Sequence, residues 1–568
     1  MDLGSITSRV PNPLSMLADG AFQVRVLTEA GIIAPIRPDK MARIAATFAR
    51  WGATPATGAA VTAIHHPGET ALVDERGPLS FEEVHHRSNA LAGAFAERGL
   101  GPGKGIGIMA RNHRGFVDAT LAAAKLGASV LYLNTAFSGP QLADVMKREG
   151  PEILVYDEEF AELLHSVDPA IDRIVAWSDE GTGDPTVDEL IDAGDESDRK
   201  PPAEEARFVI LTSGTTGTPK GAQRSSPSGL GGLASLLAAI PYRTREKMMI
   251  AAPLFHSWGF THFVLGLPLS STMILRRRFS EEGTLAAVDE HRAEVLAVVP
   301  VMLQRIMALP DETLDKYDLS SLRVVALSGS ALPGELATAW MDRFGDNLYN
   351  LYGSTEVAYA TIAGPEDLRS APGTAGKPPR GTVVRLFDDR DEEVEPGETG
   401  RIFVGNDMAF EGYTGGGGKD AIDGLLSSGD VGHFDEEGRL FIDGRDDEMI
   451  VSGGENVFPR EVEDLLSDHE AVAEAAVIGV EDEEFGQRLK AFVVLSDGKD
   501  AGEDELKGHV KKNLAGYKTP REVQFLDELP RNATGKVLKR KLVEREKEET
   551  GREATTGDSM AEAAENQS

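Results

Sequence analysis

Ten consecutive residues stand out for what they could bind. Thr212, Ser213, Gly214, Thr215, Thr216, Gly217, Thr218, Pro219, Lys220 and Gly221 follow an apolar run from Phe208 to Leu211. Glycines allow positive φ and close backbone approach, so successive N–H groups can converge on an anion. The hydroxyls add neutral donors, and Lys220 adds a positive charge. That mixture suits a polyphosphate. The spacing differs from the Walker nucleotide loop, G-x-x-x-x-G-K-[ST]. Counted from Gly214, Pro219 stands where the second glycine is required, and Gly221 stands where Ser or Thr should bind magnesium. Proline has no N–H to offer a phosphate.

Six further segments carry candidate chemistry. In chain order they are PLFHSWGF with His256; VVALSGSAL with Gly329 and Ser330; NLYNLYGSTEVA with Tyr352, Thr355 and Glu356; SSGD ending at Asp430; GRDDEMIVSGGENVFPREVE, Gly444 to Glu463; and PRNATGKVLKRKL with Lys536. Tyr352 offers a flat apolar face, Glu356 a hard oxygen ligand, and Asp430 an acceptor for ribose hydroxyls. Read singly, His256 is a packed histidine, YGSTE a turn with a solvated carboxylate, and Lys536 a surface lysine.

Taken together and in this order, these segments resemble the adenylate-forming superfamily of acyl-CoA synthetases, firefly-type luciferases and peptide-synthetase adenylation domains, with bacterial fatty-acid–CoA ligases nearest. TSGTTGTPKG is similar to that family's phosphate loop, and the resemblance runs from about Thr70 to Leu542. It implies that residues 212–217 and Lys220 hold phosphates, and that Gly329, Ser330 and Tyr352 line the adenine. Thr355 would bond phosphate or carboxylate, Glu356 would bind Mg2+, and His256 would border the carboxylate pocket. Asp430 would accept from the ribose hydroxyls, Arg445 would contact ribose or phosphate, Asp447 would be a hinge, and Gly453 and Gly454 would admit the pantetheine arm. Lys536 would bond the carboxylate and α-phosphate during adenylation. GTAGKP, Gly373 to Pro378, matches a motif of architectural role. Two departures occur: DGLLSSGD lacks the family's aromatic residue before Thr-Gly-Asp, and GYTGGGG replaces a polar stretch.

The implied activity is ATP-dependent ligation of a carboxylic acid to coenzyme A through an acyl-adenylate, with ATP, Mg2+ and CoA required. A medium- or long-chain fatty acid is the expected substrate, with VLAVVPVMLQRIM, Val295 to Met307, a candidate tunnel lining. The competing readings are a fatty acyl-AMP ligase delivering to a carrier protein, and a non-catalytic nucleotide-binding protein.

Strands alternating with helices must position these residues. ETALVDE, LSF and GIGIMA read as strands, EEVHHRSNALAGAFAERGL as a helix, and ATLAAAKLGASVLYLN as helix, turn and strand. The expected fold is α/β. It has a 1–68 extension, then a large 69–444 domain of layered α/β subdomains with a β-rich part from about Pro372. A small mobile α+β lid at 445–543 and a disordered 544–568 tail complete it. At 568 residues the chain is too long for one core. Lys and Arg total 58 against 93 Asp and Glu, a net −35, which opposes nucleic-acid partners. The absence of cysteine excludes disulfides, thiolate metal sites and a cysteine nucleophile. The N-terminus lacks a basic stretch followed by an apolar run, so a cytoplasmic location is expected. Uncharged Leu254–Leu275 is too rich in His, Ser, Thr, Pro and Gly for a membrane span, and reads as a buried helix-to-strand passage. Met41, Ile44, Phe48 and Trp51 share a face of RPDKMARIAATFARW; docking on the core is the expectation, with weak contact to the inner membrane face as the alternative.

Overall fold

The computed structural model describes residues 13–212, 220–224, 229–408, 410–414, 416, 418–452, 455–482, 486–532 and 535–547. The chain divides into two compact units, Met1–Arg385 with Phe403–Ser428, and Leu386–Ile402 with Gly429–Ser568. This division falls ahead of residue 445. The strand Leu440–Arg445 runs antiparallel to residues 430–434 and packs against the helix Pro459–Ser467, so both strands group with the C-terminal residues.

The first unit holds two largely parallel sheets. In the eight-stranded sheet, Leu348–Tyr352, Val324–Leu327, Val295–Val298, Lys247–Ile250, Thr272–Leu275 and Thr70–Asp74 lie side by side and parallel. Thr361–Ala363 and Gly77–Ser80 add antiparallel edges. The seven-stranded sheet orders Phe410–Tyr413, Lys220–Arg224, Phe208–Thr212, Ser129–Tyr132, Gly105–Met109, Ile153–Asp157 and Asp172–Trp177, the last five parallel. Val295–Val298 and Val324–Leu327 are buried along their whole length, as strands covered on both faces must be.

The helices start and stop where local chemistry directs. Phe81–Glu97 begins at Ser80, whose hydroxyl accepts from Glu83 N while the Glu83 carboxylate accepts from Ser80 N. Arg114–Leu126 ends at Gly127 in the left-handed region. The two sheets are joined through Asn112, whose amide donates to Ile250 O (3.2 Å) and Ala252 O (2.9 Å) and accepts from Leu254 N (2.8 Å). Buried Asp74 takes Arg114 N (2.9 Å) and Nε (3.0 Å), fixing the start of the 114–126 helix against the edge of the eight-stranded sheet.

Leu254–Leu275 is the expected passage, helix Ser257–Gly266 then strand Thr272–Leu275. Among the described residues no helix is long and apolar enough to cross a membrane. The helix Pro38–Trp51 departs from expectation: it buries none of its residues, and Met41 and Phe48 are 54% and 47% exposed. It rests on the neighbouring helix Pro55–His65, to which Lys40 Nζ donates at His65 O (2.7 Å), rather than docking on the core.

In the second unit the antiparallel pair Val472–Asp482 and Gly486–Leu495 forms the spine. Ile450–Ser452, Glu455–Val457 and Glu522–Phe525 extend it. Helices Pro459–Ser467 and Glu503–Asn513 cover it over a core that includes Val462, Leu466, Val477, Val493, Leu506 and Val510. Residues 539–547 are helical, and Lys490 binds Glu546, so ordered chain continues a few residues past the expected start of the tail.

His262, fully buried in the first unit, takes the Tyr242 hydroxyl on Nε2 (2.9 Å) and faces Trp258 O with Nδ1 (3.0 Å), which makes Nδ1 the protonated nitrogen. Burial holds its pKa down to about 4, and burial with the nearby Lys125 charge does the same for His85. The folded values lie below the unfolded 6.5, so the unfolded chain takes up these protons first and stability falls as pH drops from about 6.5 toward 4. Thermal unfolding followed from pH 7.5 to 4.5 is expected to decline through that window, and Tyr242→Phe to cost about 1–2 kcal/mol at pH 7. A flat profile would mean that these rings are not held neutral.

Candidate active site

Parallel strands deliver their carboxyl ends to the same side of a sheet, and that is where open α/β sheets bind ligands. Four adjacent strands of the eight-stranded sheet do so here. Lys247–Ile250 leads to His256, Val295–Val298 to Val299 and Pro300, Val324–Leu327 to Ser328, Gly329 and Ser330, and Leu348–Tyr352 to Thr355 and Glu356. Residues three hundred positions from the N-terminus and those a hundred positions earlier are thereby brought to one edge. Thr212 ends a parallel strand of the other sheet and pairs with Lys220, the first residue of the returning antiparallel strand. Ser213, Gly214, Thr215, Thr216 and Gly217 lie outside the described residues, as do Gly453 and Gly454.

Glu356 is the best-anchored group at this edge. It is only 8% exposed, and its Oε1 accepts from the Tyr413 hydroxyl (2.8 Å) and its Oε2 from the Ser354 hydroxyl (2.9 Å). Ser354 Oγ also accepts from the N–H groups of Glu356 (3.2 Å) and Val357 (3.3 Å), which closes the turn. Gly353 is required there: a Cβ would sit 2.1 Å from Ala358 O. Asn406 donates to Val357 O (2.8 Å) and Tyr359 O (3.0 Å), holding the far side of the same turn. Tyr413 belongs to the seven-stranded sheet, opposite Ala222 on the strand that starts at Lys220. The Tyr413 hydroxyl thus ties the carboxylate to the hairpin whose second strand begins at Lys220.

Thr355, half-buried, has its Oγ1 3.2 Å from the hydroxyl of Ser257, the residue after His256. His256 precedes the helix Ser257–Gly266. Its Nε2 is buried with no hydrogen-bond partner among the described residues, and burial lowers its pKa to about 4. It is a neutral ring with an unused polar atom. Trp258 Nε1 donates to Val298 O (3.0 Å), which fixes the helix carrying these residues across the sheet. Gly329, at φ +99°, is exposed in the turn after its strand, and Ser330 and Tyr352 are half-buried beside it. The 373–378 segment packs on the sheet edge: Thr361 Oγ1 donates to Ala375 O (2.7 Å), and Lys377 pairs with Ile362.

The remaining expected residues lie in the second unit. Asp430 and Arg445 are direct cross-strand neighbours, joined Oδ1 to Nη1 at 3.2 Å. Asp447 lies in the single turn Asp446–Glu448. Lys536 is exposed, at the end of a closed turn in which its N–H donates to Asn532 Oδ1 (2.9 Å) and its carbonyl accepts from Asn532 N (2.9 Å).

The AMP-binding enzyme family matches residues 60–414, and the AMP-binding enzyme C-terminal domain matches residues 461–536. The chain belongs to the AMP-binding enzyme family. A feruloyl-CoA synthase of Amycolatopsis is 33% identical over 83% of this chain and 95% of its own length. A fatty acid–[acyl-carrier-protein] ligase of Streptomyces coeruleorubidus is 28% identical over 85% of this chain and 94% of its own. Among solved structures, o-succinylbenzoate CoA synthetase from Bacillus subtilis, in complex with its acyl-adenylate intermediate, superposes with a TM-score of 0.74. It is 28% identical, over 85% of this chain and 97% of that one.

Adenylate-forming CoA ligases use ATP, Mg2+ and CoA, and the first unit fits such a metal. Among the described residues there is no cluster of three or more acidic or histidine ligands. Glu356 offers a hard carboxylate, and Mg2+ there would be completed by phosphate oxygens and water, its usual habit. Sequence reasoning missed Ser257, Ser354 and Tyr413. The signal for Tyr413 was an aromatic residue two positions before the glycine run 415–418. Tyr413→Phe is expected to loosen Glu356 by about 1 kcal/mol, weakening Mg2+-dependent ATP binding roughly five-fold. Calorimetry with and without Mg2+ checks this; unchanged affinity would leave Ser354 as the sufficient anchor.

Proposed function

We propose that this AMP-binding enzyme is an ATP-dependent acid–CoA ligase: a carboxylate attacks the α-phosphorus of ATP, pyrophosphate leaves, and the thiol of CoA then attacks the acyl carbon of the acyl-adenylate, forming the thioester and releasing AMP. The observation that carries this reading is the gathering of His256, Gly329, Ser330, Tyr352, Thr355 and Glu356 at the carboxyl ends of three strands of one parallel sheet. Tyr413 links that edge to the hairpin bearing Lys220.

Each residue then has a task. Lys220 and the loop at 212–217 hold phosphates. Tyr352, Gly329 and Ser330 hold the base, and Asp430 and Arg445 the ribose. Thr355 and Ser257 present hydroxyls to the phosphate or the acid. Neutral His256 walls the carboxylate pocket without placing a competing charge in it. Glu356 would hold Mg2+, which when bound supplies charge neutralisation at the phosphates. Charge builds on phosphate oxygens as the adenylate forms, so catalysis consists of positioning and electrostatics. Lys536 supplies a cation for that step. A turn about Asp447 then removes it and brings Gly453 and Gly454 to the thiol.

The acid we propose is compact and aromatic. The strand Val295–Val298 is wholly buried, and the rings of Tyr132, Phe208 and Phe260, the last on the helix that follows His256, lie within 4.9–6.4 Å of one another. The feruloyl and succinylbenzoate ligases among its relatives act on acids of this shape. The fatty-acid ligase that charges a carrier protein favours the second reading, an acyl chain of medium or long length and a protein acceptor.

Pyrophosphate release measured across hydroxycinnamates, arylacetates and C6–C16 fatty acids is expected to give the aromatic acids at least a ten-fold advantage in kcat/KM, about 1.4 kcal/mol in transition-state binding. The opposite ranking would install the fatty-acid reading, and thioester formation with free CoA separates the acceptors. Lys536→Ala should lose about 3 kcal/mol of transition-state stabilisation in adenylate formation, roughly a hundred-fold, while sparing thioester formation from supplied acyl-adenylate. Equal losses in both half-reactions would refute this division of labour.

A further inference from the structure

Three residues beyond Lys536, the ammonium of Lys539 lies between two carboxylates, 2.9 Å from Glu448 Oε2 and 2.8 Å from Glu463 Oε1. Glu463 projects from the helix Pro459–Ser467, and its Oε1 also accepts from Val477 N (2.6 Å) on the central strand. Lys539 and Glu463 are 20% and 17% exposed; Glu448 is 34% exposed. Glu448 closes the short turn Asp446–Glu448 and comes directly after Asp447. One ammonium group thus connects the turn at Asp447 to the segment that carries Lys536, across 91 residues of chain.

The core has no need of all three charges. Lys539 with Glu463 already forms a closed pair, supported by a backbone N–H. Glu448 adds a second carboxylate whose charge pushes the Glu463 pKa further up, in the same direction as burial. A repulsion of this kind persists where it fixes one arrangement against others. What Glu448 contributes is a grip on the turn at Asp447. Contacts of the described residues flank Lys536: its N–H donates to Asn532 Oδ1 and its carbonyl accepts from Asn532 N, Leu538 N donates to Pro530 O (2.7 Å), and Arg531 binds Gly535 O and, at 2.9 Å, Glu474. The contacts thus run from the turn Asp446–Glu448 through Lys539 to the segment that carries Lys536.

We propose that Lys539 is a positioning residue. Through Glu448 and Glu463 it fastens the Lys536 turn to the hinge residue, so that rotation about Asp447 delivers Lys536 to a set place. This rests on Lys536 serving adenylation and Asp447 serving as the hinge, as proposed above.

Glu448→Gln takes the charge out of the link to the hinge, leaving at most a neutral hydrogen bond, and keeps the Lys539–Glu463 pair intact, so the fold survives. It should lower adenylate formation about ten-fold, the scale of a modest misplacement of a catalytic group. The KM for ATP, thioester formation from supplied acyl-adenylate and the melting midpoint should stay close to the parent values. Lys539→Arg should keep adenylation within about three-fold, since the guanidinium can bridge both carboxylates. Lys539→Met should lose both adenylation and melting midpoint. An unchanged ratio of the two half-reactions in E448Q overturns the proposal, as does a loss shared by both or tracked by the melting midpoint. Lys536→Ala runs beside these: if it retains adenylation, the reading of Lys536 itself fails, whatever E448Q does.

Discussion

A carboxylate beside a polyanion site is tolerable only if its charge is directed. Glu356 is directed by two hydroxyls, Ser354 from its own turn and Tyr413 from a strand of the other sheet. Each oxygen keeps a lone pair free after accepting one such bond, and that free capacity is what a divalent cation would use. The bond from Tyr413 has a second effect. It sets the spacing between the turn that offers the acid ligand and the hairpin that begins at Lys220. If the Lys220 hairpin holds phosphates and Glu356 a metal, as proposed, the two share oxygens, and this spacing decides whether they can. In a chain of net charge −35, such local arrangement has to overcome a field that repels the nucleotide.

Much of this was legible because it depends on local chemistry. The apolar runs of the parallel strands, the Ser80–Glu83 cap and Gly127 after its helix are marked by residue type at fixed spacing. The order of the motifs carried the family. Harder to see was the strand Lys220–Arg224, because KGAQR has neither β-branched nor aromatic residues and owes its conformation to pairing on both sides. Tyr413 and Glu356 are 57 positions apart and meet only because two sheets do; no periodicity connects them. The exposed face of Pro38–Trp51 had the pattern of a core helix, yet pattern reports amphipathicity and not what lies opposite.

The second unit shows the same limit in charged residues. Asp430 and Arg445, both expected to reach for the ribose, bind one another across a ladder. The pairing orients each side chain, and a ribose hydroxyl bound there, as proposed, would have to join or displace the ion pair. Lys539 looked like one more member of a basic stretch, KVLKRK, until its two carboxylate partners came from remote segments. In that stretch Lys539 is held between two carboxylates, whereas Lys536 is exposed.

Asn112 has a consequence for how specificity can change. Its one side chain satisfies two carbonyls and an N–H at the end of the Lys247–Ile250 strand, all from the sheet to which it does not belong. Sliding one layer past the other by a single residue would strand three buried polar groups at once. A new acid cannot be accommodated by letting the layers drift apart or slip. Diversification of this scaffold has to proceed by exchanging individual side chains around a frame that stays fixed.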